Sequence, residues 1–178
     1  YVTTMIATDA ITAILLFTQF VILRSRAILV IAIGYAFTAL VLVPYLLTFP
    51  GLFATTGVID GPLSTAWFFI LWRTGFPSFV IGYALLKDAD AARTYVRGTV
   101  RATVGTSAVL SASLVVAAVL LNRLASHSLP RLFFEELSSS RLYPYYVGSP
   151  VLVTSCVAVV VLWFRRRSLL DLWLIVVM

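Results

Sequence analysis

The sequence predicts an all-α fold, a polytopic transmembrane helix bundle with five complete spans and the start of a sixth. Three observations predict it. First, 61% of the 178 residues are hydrophobic and 11% are charged. Soluble domains run at about 45–50% apolar and about 25% charged. Second, the apolar residues fall in continuous runs of about 20, the length a helix needs to cross a hydrocarbon core. Third, the basic residues concentrate in alternate gaps between those runs. The mean hydropathy of +1.04 also excludes disorder, which needs low hydrophobicity. Barrel strands would show about ten residues of alternating character, whereas these runs are unbroken. Helices satisfy their own backbone in lipid.

The first span covers 2–23, interrupted by Asp9 and closed by Arg24-Ser25-Arg26. The second covers 27–49, with Pro44 near its end; Pro50-Gly51 breaks it and a Gly- and Thr-rich loop follows. The third covers 64–86 and carries Arg73, Gly75 and Pro77. Gly and Pro so close together predict a kink. The polar stretch 87–101 predicts a helical extension along the membrane surface, its basic residues facing anionic head groups.

The fourth span covers 102–121. Gly98, Ala102 and Thr106 recur at four-residue spacing, as do Thr103, Ser107 and Ser111. Small residues so spaced let membrane helices approach closely, within the bundle or across a homodimer. A segment with Pro, Ser and Glu135-Glu136 leads to the fifth span, 143–164, closed by Arg165-Arg166-Arg167. The sixth begins at 169 and is cut at Met178. Beginning at Tyr1 and ending inside an apolar run, the chain reads as one integral-membrane domain, 1–178, of a longer protein.

Charge orients the bundle. The connections after spans one, three and five hold nine basic residues: Arg24, Arg26, Lys87, Arg93, Arg97, Arg101, Arg165, Arg166 and Arg167. Those after spans two and four hold three: Arg123, Arg131 and Arg141. Cytoplasmic loops collect Lys and Arg, so the first set faces the cytoplasm and the formal charge of +6 becomes a topology signal. Nucleic acid is not an expected partner; the lipid bilayer is. Tyr143, Tyr145, Tyr146 and Trp67 near outer ends, and Trp163 and Trp173 near inner ends, suit the interfacial aromatic belts.

Ionisable residues inside spans are costly and face a partner or a cavity. There are three: Asp9, Arg73 and Asp171. Asp9 lies about 10 Å and Arg73 about 14 Å from the outer starts of their spans, at 1.5 Å per residue. The near match predicts an ion pair or a shared polar pocket. Trp67, Trp72 and Arg73 surround the outer half of the third span, and an aromatic concavity with a cation has the form of a small-ligand site. The ligand-sensing candidates are therefore Asp9, Arg73, Trp67, Trp72 and Pro77. Asp171 lies four residues past Arg167, the spacing of neighbours on one helix face, and groups with Arg165, Arg166 and Arg167 as cytoplasmic-face charges. His127 reads as a loop side chain and Cys156, the lone cysteine, as inert packing. No metal-ligand cluster, Walker loop, nucleophile elbow or paired catalytic carboxylate is present, and no cofactor can be named.

Several segments together resemble a known family: Asp9-Ala10-Ile11-Thr12-Ala13-Ile14-Leu15-Leu16-Phe17, Leu23-Arg24-Ser25-Arg26-Ala27, Gly34-Tyr35-Ala36-Phe37-Thr38-Ala39-Leu40, Leu47-Thr48-Phe49-Pro50-Gly51, Gly75-Phe76-Pro77, Tyr83-Ala84-Leu85-Leu86-Lys87-Asp88 and Arg165-Arg166-Arg167-Ser168-Leu169-Leu170-Asp171-Leu172-Trp173. They resemble the fourth type of bacterial membrane-associated sensor (MASE) domain over nearly the whole chain. The resemblance implies an input module in the bacterial inner membrane, N-terminal to a cytoplasmic output domain such as a histidine kinase or a diguanylate cyclase. The expected system is thus two-component or cyclic-di-GMP signalling, and by analogy a homodimer. A non-catalytic scaffold subunit of a larger membrane complex and a transporter are the alternatives. The transporter lacks the inverted repeat and paired broken helices common to that class.

Overall fold

The computed structural model describes residues 1–48, 62–92, 100–128, 143–165 and 168–178. The elements in these residues are helices: α1 (Val2–Leu23), α2 (Arg26–Leu47), α3 (Pro62–Ala92), α4 (Val100–Ser128), α5 (Tyr143–Phe164) and α6 (Leu169–Val177). Four stretches are long and apolar enough to cross a membrane: Val2–Leu23, Arg26–Leu47, Trp67–Lys87 and Ala102–Leu124. In α5 the apolar stretch is the shorter Gly148–Phe164. The described residues thus carry four helices of spanning length and a shorter fifth, where the sequence leads one to expect five.

Composition alone does not make these helices stable in lipid; their polar side chains must be satisfied locally. On α1 the hydroxyls of Thr8, Thr12 and Thr18 donate to the carbonyls of Thr4, Thr8 and Ile14, at 3.0, 2.8 and 2.9 Å. Such back-bonds cancel a hydroxyl that would otherwise face hydrocarbon. α1 ends at Arg24, whose φ of 50° is left-handed, and Ser25 caps α2 by accepting from the Ile28 N–H at 3.4 Å. With two residues between them, α1 and α2 form an antiparallel hairpin.

Paired contacts set the other directions. Gly34 meets Phe79, Gly75 meets Phe37 and Gly82 meets Val30, so residue numbers rise on α3 as they fall on α2. The Thr65 hydroxyl donates to the Thr48 hydroxyl at 2.9 Å and fastens the far end of the same pair. Arg165, just after α5, donates from Nη1 to the Ala84 carbonyl at 3.3 Å. Ser155 shares a cavity with Pro77, so α5 runs parallel to α3. α6 starts beside Tyr83 and Lys87 and ends beside Phe76, antiparallel to α3. α1, α3 and α5 therefore run one way; α2 and α6 run the other, as does α4, whose C-terminal half packs on the start of α3.

Two apolar clusters hold this arrangement. One joins Leu16, Ile31, Val80, Ala84, Leu162 and Leu174 from five helices. The other joins Phe37, Val41, Phe68 and Val115, bringing in α4. α2 is the most enclosed span. Outward faces are aliphatic: Ile14, Ile22, Leu110, Leu121, Leu152 and Val160 are exposed. In water such surface would mark an aggregation liability; in a bilayer it meets its own kind. Cys156 belongs to this outer face, not to the packing expected for it, because the inward side of α5 is taken by Ala158 and Leu162.

α3 runs as one helix through Gly75 and Pro77. Pro77 brings no N–H for the Arg73 carbonyl, but the neighbouring turns are reinforced. Thr74 Oγ1 donates to the Ile70 carbonyl at 2.6 Å, and Ser78 Oγ to the Thr74 carbonyl at 2.8 Å.

Candidate functional site

Asp9 lies seven residues into α1, and Arg73 lies six residues past Trp67, where the apolar stretch of α3 begins. At 1.5 Å per residue the depths are about 10 and about 9 Å. Because α1 and α3 run parallel, both charges sit toward the same end of the bundle. They line one cavity of about 210 Å³. Its polar lining is Asp9, Tyr35, Thr38, Arg73 and Ser155; Met5, Trp72, Phe76, Pro77, Val151, Val177 and Met178 complete the wall. The Thr38 hydroxyl stands beside the Asp9 carboxyl. The Arg73 guanidinium lies 5.3 Å from the Trp72 ring centre and 5.8 Å from that of Phe69. Such cation–π contacts partly replace lost hydration. Tyr35 meets Phe76 edge-on at 4.8 Å, closing the wall between α2 and α3.

Four of the five sensing candidates, Asp9, Arg73, Trp72 and Pro77, are brought together here. Trp67 is not. It faces an apolar cleft between α3 and α4 with Phe68, Leu71, Ala118, Leu121 and Asn122, because it lies five residues before Trp72 and so on a different helix face. Asp9 and Arg73 make no ion pair within 4 Å among the described residues; of the two arrangements expected, the shared pocket forms. Tyr35, Thr38 and Ser155 were not singled out by the sequence. For the first two a signal exists: they are three residues apart on one face of α2, polar groups in an otherwise apolar run.

The other end of α3 carries a buried charge network. Lys87 donates from Nζ to Asp171 Oδ2 at 2.7 Å, and Tyr83 from its hydroxyl to Oδ1 at 2.9 Å. Asp171 is fully buried and the Lys87 side chain is 12% exposed. The Ser168 N–H donates to Asp171 Oδ2 at 2.9 Å, and the Asp171 N–H to Ser168 Oγ at 3.3 Å. This reciprocal capping box starts α6. Asp171 is therefore no surface charge: it fastens α6 to α3. Arg166 and Arg167 lie outside the described residues, so the pairing of Asp171 with Arg167 falls outside them too. The Lys87–Tyr83 spacing of four does place both groups on one face, but the residue that both meet, Asp171, lies 84 positions from Lys87 and 88 from Tyr83.

The cavity and the network are linked twice. α3 carries Arg73 and Lys87; α6 carries Asp171 at its start and Val177 at its end. Two short helical segments therefore join the cavity wall to the charged clamp.

Apolar-faced helices of spanning length around a polar cavity define an integral-membrane helical domain. Within that class, the chain belongs to the MASE4 family, described as a membrane-associated sensor, integral membrane domain, which it matches over residues 1–178. No curated protein and no solved structure matches the chain.

Proposed function

We propose that this domain is the sensory input module of a bacterial signalling protein and that it relays occupancy of the Asp9–Arg73 cavity to a cytoplasmic output domain, a histidine kinase or a diguanylate cyclase. The observation that carries this reading is the double linkage of that cavity to the Lys87–Asp171 clamp by α3 and α6. Relay needs two arrangements with different affinity for the stimulus. A buried ion pair between two helices is suited to this, since its strength depends steeply on geometry and desolvation.

The proposed setting is the inner membrane, with the turn between α1 and α2 and the end of α5 facing the cytoplasm. The excess of basic residues there supports it, and the clamp then lies on the side of the output domain. A homodimer is supported by α4: Ser107 and Ser111 pack inward, while Ala102 and Thr106 remain exposed at four-residue spacing.

The test is the output activity of the full-length protein in native membranes, read as autophosphorylation or cyclic-di-GMP synthesis. Asp9→Asn and Arg73→Gln are expected to shift basal output while leaving expression and unfolding temperature near wild type. Unaltered output from both folded variants, or a full-length chain with no cytoplasmic effector, would overturn the proposal.

A further inference from the structure

The two deep charges share one cavity yet make no contact with each other within 4 Å. Each would be costly in an apolar bundle without a counter-charge. Among the described residues their partners are neutral: Thr38 beside Asp9, the rings of Trp72 and Phe69 beside Arg73. The space between them thus has a negative pole, a positive pole and an aromatic wall. A neutral apolar guest would leave both charges unmet, and a simple anion or cation would meet one and repel the other. A guest with both charges on a short spacer meets both.

Size narrows the class. About 210 Å³ is well above the ~10–15 Å³ of such space that one water needs and below the ~300 Å³ at which drug-sized pockets begin. We infer that this cavity binds a small zwitterion, its carboxylate or phosphate held by Arg73 and its ammonium by Asp9, with Tyr35, Trp72 and Phe76 against the spacer. The inference rests on the reading of the cavity as the sensing site. Two sources supply this chemistry: a free amino acid and the head group of phosphatidylethanolamine.

The full-length protein is reconstituted in nanodiscs of phosphatidylglycerol, whose head group carries no cation. ω-Amino acids from glycine to aminohexanoate are titrated calorimetrically beside the matched carboxylates and amines. At least one zwitterion is expected to bind about tenfold or more tighter than both of its single-charge analogues, the preference that two met charges confer. Asp9→Asn and Arg73→Gln are expected to abolish that preference, and Arg73→Lys to retain it in part. Unfolding temperature certifies that each variant is folded. Repeating the titration in phosphatidylethanolamine nanodiscs separates the sources. Loss of amino-acid binding there, or a phosphatidylethanolamine-dependent rise in unfolding temperature that Asp9→Asn removes, identifies the lipid head group. Binding unchanged by the lipid identifies the free solute. No zwitterion preference in either lipid, and no such rise, overturns the inference. Preference without any change in output activity leaves the zwitterion site standing and removes the sensing role, so the two failures are told apart.

Discussion

Asp171 has no exposed surface, and its carboxylate accepts from the Tyr83 hydroxyl, from Lys87 Nζ and from the Ser168 N–H. Losing one partner of such a pair strands the other, at a cost of about 3–5 kcal/mol, whereas replacing both by apolar groups can be nearly neutral. Lys87→Met alone should therefore lower stability by about 3–5 kcal/mol, and Lys87→Met with Asp171→Leu should recover most of it. Tyr83→Phe, which removes one hydrogen bond to a charged group, should cost about 1.5–3 kcal/mol. Denaturant unfolding in detergent micelles measures all three. A double variant as unstable as Lys87→Met would mean that the pair adds net stability rather than orientation. The sequence marked Asp171 as unusual because a carboxylate in an apolar run is visible in one dimension. Local spacing points to Arg167, which lies outside the described residues, and gives no sign of Lys87, 84 residues away.

Between elements, the decisive contact is α2 against α3. A Cβ on Gly75 would stand 2.6 Å from Cε1 of the buried Phe37 ring, and one on Gly34 would stand 2.8 Å from Phe79 Cβ. Neither neighbour is a flexible tip, so the helices would have to separate. Gly75→Ala and Gly34→Ala should each destabilise by about 1–3 kcal/mol, the usual cost of overpacking. Gly105 has open space around its Cβ position, so Gly105→Ala should be neutral or stabilising by up to about 1 kcal/mol through helix propensity. Unfolding temperatures of the three variants check the order, and equal effects would mean that propensity rather than packing governs these sites. In the same region Gly75 and Pro77 lie within one continuous helix, where Gly75 serves close approach and the hydroxyls of Thr74 and Ser78 bond back to the preceding turn. On α4 the spacing rule identified two small-residue rows without ranking them; packing buries Ser107 and Ser111 and leaves Ala102 and Thr106 outside.

Taken whole, the described helices have a largely aliphatic exterior and bury Thr38, Thr48, Ser107, Ser111 and Asp171 among them. Its proposed orientation has a direct check. Cys156 is replaced by Ser to remove the lone native thiol, and Ser25→Cys is introduced in the turn between α1 and α2. In sealed right-side-out vesicles a membrane-impermeant maleimide should leave this site unlabelled, and permeabilisation should expose it. Labelling of the intact vesicles would reverse the topology and put the Asp9–Arg73 cavity toward the cytoplasm.

Chain-level physics was legible in one dimension. An apolar run of spanning length in lipid has one backbone solution, so membrane residence, helical class and the identity of the deep charges followed from composition and spacing alone. The common depth of Asp9 and Arg73 could also be read that way, because alternating spans make α1 and α3 parallel. Which faces meet could not. The separation of Trp67 from the cavity, the recruitment of Tyr35, Thr38 and Ser155 into it, and the capture of Asp171 by Lys87 and Tyr83 depend on the rotation of each helix about its axis. That rotation is chosen by close packing at Gly34, Gly75 and the two apolar clusters. In a bilayer, where lipid solvates every aliphatic face equally well, hydrophobicity does not select among rotations; steric fit and the satisfaction of buried polar groups do.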